Sequence, residues 1–380
     1  GVCFLFLVAL NKRLRDQKWF LNNSFEEPEL MNILDLVALG TVCDVVPLIG
    51  LNRALVHQGL KILKRKKNLG LKTLIDVSNI ESNITSYHLG YVLGPRINAG
   101  GRVGKSTHGA NLLLNQNPKD TFKLATDLNL YNKERQILES DLLKNILNTK
   151  YENSEDPVIV LHGENWHEGI IGIIASRIKE KYNKPAIIIS VNSGIGKGSG
   201  RSIHGFDLGS TVIGGVQTGL LIKGGGHKMA AGFTIDSKKI DEFKEFIFKK
   251  FKSINVNLQE KKNFFYDAEI APSAINYEFF EKINMLAPFG SGNPEPRFIV
   301  RDIKIVNSKI VGEKHIKNVL VGSDSSIFKG ISFNSVETDL GVHLLKKNIK
   351  PFNIAGKLSL NEWRGQKNVE FIIDDISVIK

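Results

Sequence analysis

Residues 157–202 read PVIVLHGENWHEGIIGIIASRIKEKYNKPAIIISVNSGIGKGSGRS, and this stretch decides the fold class. Val158 to Leu161 is a short apolar run of strand length, preceded by a loop from Asn153 to Pro157. Ile170 to Lys181 spaces its apolar residues as a helix does. Pro185 to Val191 is a second apolar run, the pattern of a buried strand. Strand, helix and strand in that order predict a βαβ unit, hence a small α/β domain with some parallel pairing. A helix from about Lys239 to Phe251 closes it.

Upstream, helical patterns alternate with glycine-rich turns. Leu34, Val37, Ala38, Thr41 and Val45 recur at helical spacing, and Pro47 stops that element. A second helix is expected from Asn52 to Leu63. From Pro118 to Tyr151 the pattern is one long polar helix, with Phe122, Ala125, Leu128, Ile137, Leu142 and Ile146 as its inward residues. The opening Gly1 to Leu10 is apolar but too short to span a bilayer and lacks a basic flank. It reads as a buried helix whose packing partner lies upstream. Downstream of Leu258 come five β-rich runs: Phe298 to Val306, Asn318 to Gly322, Gly330 to Phe333, Phe352 to Leu360 and Val369 to Ile373. They suit a small Greek-key barrel such as an OB-fold.

The 380 residues exceed one ordinary core, so two or three domains are expected. Hydrophobic residues make up 42% and charged ones 24%, which excludes a disordered chain. Cys3 and Cys43 stand in no ligand spacing, so neither a zinc ribbon nor a disulfide scaffold is expected, and the compartment reads as reducing. The net charge of +12 favours a polyanionic partner, nucleic acid before an anionic membrane surface. The plainer alternative is a solvated lysine face, as at Lys64 to Lys67 and Lys346 to Lys347.

Four clusters can carry chemistry. Leu39 to Pro47 places Asp44 in an apolar segment, where a buried carboxylate calls for a metal or cation; a helix-end or surface Asp is the alternative. Gly94 to Arg102 sets Arg96, Asn98 and Arg102 among small residues, either a phosphate-binding loop or a turn with solvated arginines. Gly196 to Ser202, with Ser199, Gly200, Arg201 and Ser202, reads as a glycine-rich anion cradle or a flexible hairpin, and matches neither a Walker A nor a dinucleotide fingerprint. Gly224, Gly225 and Gly226 before His227 suggest positive-φ backbone approaching a ligand, ahead of a small-residue helix at Met229 to Gly232. Trp166 to Gly169 reads as packing and turn.

In this order the clusters resemble the DHH phosphoesterase superfamily, and within it the RecJ-like nucleases, over nearly the whole chain. The terminal barrel with Asn361 to Gly365 fits in kind. The resemblance implies an α/β architecture: the end of a DHH phosphoesterase domain (1–117), a long connecting helix (118–151), an α/β DHH-associated nucleic-acid-binding domain (156–253), then an all-β OB-fold (258–380). It implies 5′-to-3′ exonucleolytic hydrolysis of single-stranded DNA in repair and recombination, with Mn2+ or Mg2+ in a two-metal site. Asp44 matches a catalytic metal ligand. Asn98, Arg102, Ser199, Gly200, Arg201, Ser202, Gly225, Gly226 and His227 match strand-binding positions, and Trp363 is the candidate for base stacking in the barrel. Single-stranded DNA is the implied partner, with a helicase and a single-strand-binding protein as candidate others, in the cytoplasm and away from membranes. No Asp-His-His occurs in the sequence. The expectation is therefore an N-terminally shortened form, inactive by itself. The alternatives are a non-catalytic strand-binding module or a DHH-type phosphodiesterase of short oligonucleotides.

Overall fold

A computed structural model describes residues 1–81, 83–148, 156–254, 263–346, 350–363 and 366–378, with the side chains of Trp363 and Val378 outside that description. The chain forms two compact units, one of Gly1–Lys67, Ile80–Val92 and Lys262–Lys380, the other of Asn68–Asn79 and Leu93–Lys261. They cut across the sequence divisions at 117 and 151.

The first unit opens with α1 (Val2–Asp16), the short α2 (Trp19–Asn22), α3 (Leu34–Cys43) and α4 (Gly50–Leu63). The α3–α4 crossing is close because Gly59 has no side chain: a Cβ there would lie 2.2 Å from the Leu34 carbonyl oxygen. One expectation is borne out in part and one is corrected. Gly1 to Leu10 is helical, and against the described residues it buries Phe4, 7% exposed, while Leu5, Phe6 and Val8 face solvent. The α3 helix stops at Cys43, and Val45 is exposed with φ 55°, so it is no inward helical residue.

The buried carboxylate of α3 is instead Asp35, 2% exposed and accepting a hydrogen bond from the Leu36 N–H at 2.8 Å. Burial raises its pKa above the usual carboxylate range, against the backbone hydrogen bonds. The raised folded value means the folded state binds this proton more tightly. The cost of charging Asp35 is thus present at neutral pH and fades as pH falls through the folded pKa towards about 3.9. Asp35→Asn is expected to raise the melting temperature at pH 7 and leave it unchanged near pH 3; thermal melts at both pH values check this.

The second unit begins with α5 (Leu69–Val77), α6 (Gly94–Val103), α7 (His108–Leu114) and the 31-residue α8 (Pro118–Asn148). Thr121, Ala125, Leu128 and Asn132 bury the first half of α8, and Leu142 and Ile146 the second. Phe122 and Ile137 are each 61% exposed, contrary to the pattern reading. Then follow β1 (Ile159–Glu164), α9 (Glu168–Tyr182), β2 (Ala186–Asn192), β3 (Ile195–Arg201), α10 (Leu208–Gln217), β4 (Lys223–His227), β5 (Ala230–Asp236) and α11 (Ile240–Lys252). The sheet order is β1-β2-β3-β5-β4, with β1 and β2 parallel around α9 and the rest antiparallel. Ile170, Ile174 and Ile178 of α9 join Leu142 and Ile146 of α8 over one face. Phe206, Val212, Phe233, Phe243 and Ile247 fill the other.

Back in the first unit, β6 (Ala268–Glu269), α12 (Tyr277–Asn284), β7 (Phe298–Val311), β8 (His315–Val321), β9 (Ile327–Ser332), α13 (Asp339–Leu345), β10 (Phe352–Trp363) and β11 (Gln366–Val378) complete the chain. Pairing of β10 with β7 closes the sheet into a barrel around Val300, Ile303, Leu320, Ile354 and Phe371. All five β-rich runs are strands, several longer than the sequence pattern reached. The segment before β7 is pinned to the helices: the Leu48 N–H donates to the Ser291 carbonyl at 2.6 Å, and the Ser86 hydroxyl to that of Phe289 at 2.6 Å.

Candidate nucleic-acid interface

The glycine-rich stretch after β2 is no open loop: it is the second strand of a β2–β3 hairpin, the alternative that the sequence left open. Residues 195–201 are β3, paired with β2 on one side and β5 on the other, so their N–H and C=O groups serve the ladder. Gly196, Gly198 and Gly200 face the core. A Cβ on Gly198 would lie 2.2 Å from the Phe233 ring, and one on Gly200 2.6 Å from Leu208. Lys197, Ser199 and Arg201 therefore share the opposite face.

The register carries that face across three strands. Lys197 lies opposite Thr234, and Thr234 opposite Lys223; Ser199, Gly232 and Gly225 form the next row, and Arg201, Ala230 and His227 the third. At about 4.8 Å between strands and about 3.3 Å per residue, the cationic or imidazole corners Lys197, Lys223, Arg201 and His227 bound a field of about 10 by 13 Å. Its floor is small and open: a Cβ on Gly225 would meet nothing within 4 Å, and one on Gly232 only the Gly198 carbonyl at 3.7 Å. None of Gly224, Gly225 and Gly226 takes positive φ, and residues 230–236 are strand rather than helix. His227 ends the edge strand with its side chain exposed.

The Gly94 to Arg102 segment is likewise no loop; it lies in α6, whose C-terminal end abuts the start of α9. A Cβ on Gly169 would sit 2.2 Å from the Arg102 carbonyl oxygen. Arg102 Nη1 donates to the Gly169 carbonyl at 3.2 Å. Arg201 Nη1 donates to the Gly200 carbonyl at 2.9 Å and to Ser199 Oγ at 3.3 Å. Room for Arg201 comes from Gly172, whose Cβ would lie 3.2 Å from Nη2. Loss of solvent lowers the pKa of Arg201, and the positive charge of Arg102 lowers it further. Arg102 is lowered by loss of solvent and then by Arg135, with Glu139 opposing.

Glu139 is itself occupied, by Arg135 at 2.7 Å and Arg177 at 3.1 Å, and Glu168 holds Lys197 at 2.6 Å. No carboxylate hydrogen-bonds Arg102 or Arg201 among the described residues. A guanidinium lowered by loss of solvent and by a neighbouring guanidinium, with no carboxylate hydrogen-bonded to either, is an arrangement able to take an anion. Sequence reasoning missed Lys223 and Arg135. Lys223 was legible as the cation opening the glycine run, and Arg135 as the i−4 partner of Glu139.

The other predicted site residues are placed apart or otherwise engaged. Asn98 is exposed on α6. Ser202 is 1% exposed and donates its hydroxyl to the Phe206 carbonyl at 2.6 Å, so it does not share the open face. Trp166 packs over Gly163, and His167 caps α9 by accepting from the Gly169 N–H at 3.1 Å. Asp44, in the first unit, is the exposed residue that ends α3, so burial gives no argument for a metal there. Its neighbour Cys43 donates to the Leu89 carbonyl, and burial pushes the thiol up to about 11. Among the described residues no group of three His, Cys, Asp or Glu could hold a metal. Trp363 ends β10 opposite Gln366 rather than standing in a loop, and its side chain lies outside the described residues, as do Arg364 and Gly365.

The barrel offers a second basic face in the first unit. Outward positions of β7, β8 and β9 align Asn307 with Val319 and Lys329, and Lys309 with Lys317 and Ile331. Lys317 is held by Glu370 at 2.7 Å, which Asn361 also reaches at 3.2 Å.

Residues 155–253 match the DHHA1 domain, and residues 266–375 the RecJ OB domain. The chain is 34% identical to the single-stranded-DNA-specific exonuclease RecJ of Dickeya dadantii, over 99% of this chain and 66% of that protein. It is also 34% identical to the RecJ of Haemophilus influenzae, over 100% of this chain and 67% of that one. The crystal structure of RecJ from Thermus thermophilus in complex with Mg2+ is similar at TM-score 0.79 and 28% identity, covering 100% of this chain and 56% of that one. The Mn2+ complex of the same protein gives 0.80, also at 28% identity and full coverage of this chain, with 53% of that one covered. The chain thus spans about two thirds of the length of these curated relatives.

Proposed function

The chain belongs to the RecJ family of single-stranded-DNA-specific exonucleases, and we propose that its own residues grip a single strand of DNA by its phosphates for metal-dependent cleavage. The observation that carries this reading is the pair Arg102 and Arg201, neither hydrogen-bonded to a carboxylate among the described residues, beside an open floor cornered by Lys197, Lys223 and His227. A planar guanidinium donates two parallel hydrogen bonds to one phosphate, and the small floor lets the backbone of a strand lie close. The barrel face with Lys309 and Lys329, beside the Lys317–Glu370 pair, adds a second surface for a strand.

In this reading the strand enters 5′ end first, and the enzyme serves DNA repair and recombination in the cytoplasm, with a helicase and a single-strand-binding protein as partners. A divalent cation, Mn2+ or Mg2+, would supply the activated water and charge neutralisation of hydrolysis. Asp44 alone does not fit such a site, since hard cations take several oxygen ligands. Cleavage therefore requires ligands that the described residues do not supply, and no catalytic step is assigned to this chain's residues. Among the described residues no helix is long and apolar enough to cross a membrane.

The chain is expected to bind a 5′-phosphorylated single strand more tightly than duplex of the same length. Log affinity should fall with log salt at a slope of about −3 for four phosphate contacts, each contributing about −0.7. Fluorescence anisotropy across a salt series measures both. Equal affinity for duplex, or a flat salt response, would overturn the reading.

A further inference from the structure

One carboxylate is shared among the arginines of the second unit. Glu139 lies on α8 with its side chain 12% exposed, and both of its oxygens are engaged. Oε2 accepts from Arg135 Nη1 at 2.7 Å, and Oε1 accepts from Arg177 Nε at 3.1 Å. Arg135 stands one turn earlier on α8 and is covered to the same degree; Arg177 comes from α9. Apart from Glu139, Arg135 donates only to the Asn132 side-chain oxygen at 3.2 Å among the described residues. Its Nε is buried with no hydrogen-bond partner. Arg177 has a second acid within ion-pair reach, Glu180 at 3.8 Å, and Arg135 has none among the described residues. Arg135 is thus a covered cation that depends on a single carboxylate.

The pair Arg102 and Arg201 is built against this cluster. A Cβ on Gly100 would lie 3.2 Å from Leu128, and one on Gly104 2.4 Å from the Tyr131 ring, so the end of α6 lies on α8 one turn before Arg135. Arg102 stands between those two glycines. Loss of solvent and then the charge of Arg135 disfavour its cationic form, while Glu139 favours it. Arg102 in turn acts on Arg201, after loss of solvent. Leaving a covered charge without its partner is costly. If the carboxylate were removed, the replacement nearest to hand would be an anion bound by the neighbouring arginines.

Resting on the strand-binding function proposed above, we infer that Glu139 is the built-in counter-charge of the arginine cluster, a positioning residue that holds Arg135 back from the strand and limits how firmly a phosphate is gripped. A strand shortened from one end has to be released and gripped again. The same arginines without this acid would hold each phosphate longer. One unit charge added to or taken from such a cluster changes phosphate affinity by about tenfold.

The test uses the full chain with a 5′-phosphorylated thymidine tetranucleotide, and as control the same oligonucleotide with a 5′-hydroxyl and uncharged methylphosphonate linkages. Glu139→Gln should bind the charged probe about tenfold more tightly, mostly through slower release in stopped-flow displacement. Arg135→Gln should bind it about tenfold more weakly, and the Glu139→Gln/Arg135→Gln pair should return to the unsubstituted affinity. The uncharged control should not distinguish the four chains. A purely structural part for Glu139 predicts the opposite sign: weaker binding in Glu139→Gln, deepened or unrelieved in the pair. That result, or unchanged affinity in Glu139→Gln, overturns the counter-charge and leaves the strand-binding reading standing. Should Glu139→Gln fail to fold, Arg135→Gln and the pair decide, because only a charge effect is regained when the carboxylate is removed as well. If the unsubstituted chain does not hold the charged probe, strand binding itself fails, and the counter-charge falls with it.

Discussion

Replacing Arg102 and Arg201 together with alanine should weaken binding of a 5′-phosphorylated single strand by at least a hundredfold while leaving the melting temperature close to its original value. A hydrogen bond to a charged group is worth about 1.5–3 kcal/mol, so losing one from each arginine removes about 3–6 kcal/mol, and each 1.4 kcal/mol is tenfold. Folding should be little affected, because among the described residues the two guanidiniums hydrogen-bond only backbone carbonyls and the Ser199 hydroxyl, not a carboxylate. Arg201→Lys should recover only part of the loss, since an ammonium keeps the charge without the planar fork. Lys249→Ala, on the exposed side of α11, serves as the control for diffuse attraction. Anisotropy titrations give the affinities and calorimetry the stability. A loss at Lys249 as large as that at either arginine would show that bulk charge, and not a built site, holds the strand.

Gly198→Ala should have its effect on folding instead. Alanine is normally preferred to glycine inside a strand by about 0.5–1 kcal/mol. Here the added carbon would lie 2.2 to 2.6 Å from three atoms of the Phe233 ring, which itself packs edge-on against Phe243 at 4.9 Å between centroids. Such overpacking typically costs about 1–3 kcal/mol, and valine at this position should cost more. The transition of the second unit is expected to drop by several degrees, with Phe233→Leu restoring part of it. Gly225→Ala, whose Cβ meets open space, should leave stability unchanged. Reversed behaviour, with Gly198→Ala stable but unable to bind, would return the glycines of β3 to the role of a phosphate cradle.

Much of the fold was legible because it rests on patterns that burial enforces. The apolar runs at Val158, Pro185 and the five barrel strands stand where sequence periodicity places strands, and the long polar helix starts at Pro118. The glycine clusters were harder. Gly196, Gly198 and Gly200 alternate with Lys197, Ser199 and Arg201, a period of two that marks a strand with one crowded face. That signal was open to reading, but the crowding comes from Phe233, Leu208 and Ile235, residues distant in sequence. For the same reason Arg102 and Arg201 could be nominated separately, while their shared neighbourhood depended on α6 meeting α9. In α3 the two carboxylates exchanged expectations: Asp35 is buried and Asp44 exposed, and no local pattern distinguishes a helix start tucked under neighbours from a helix end.

The length of α8 has a consequence for how the second unit holds together. At 1.5 Å per residue its 31 residues span about 46 Å. Its first half is sealed by the helical layer of α5, α6 and α7, its second by α9 and the sheet. One rod thus belongs to two cores, and neither core can come apart without stripping apolar cover from the rod they share. The layers are tied into one cooperative block, whose local openings draw on the same reserve of stability. Arg102 comes from the first layer and Arg201 from the second, so the spacing between the two charges is fixed as a span is fixed between piers on one beam. A weakness introduced anywhere along α8 should therefore reach the spacing of the two arginines without touching either of them.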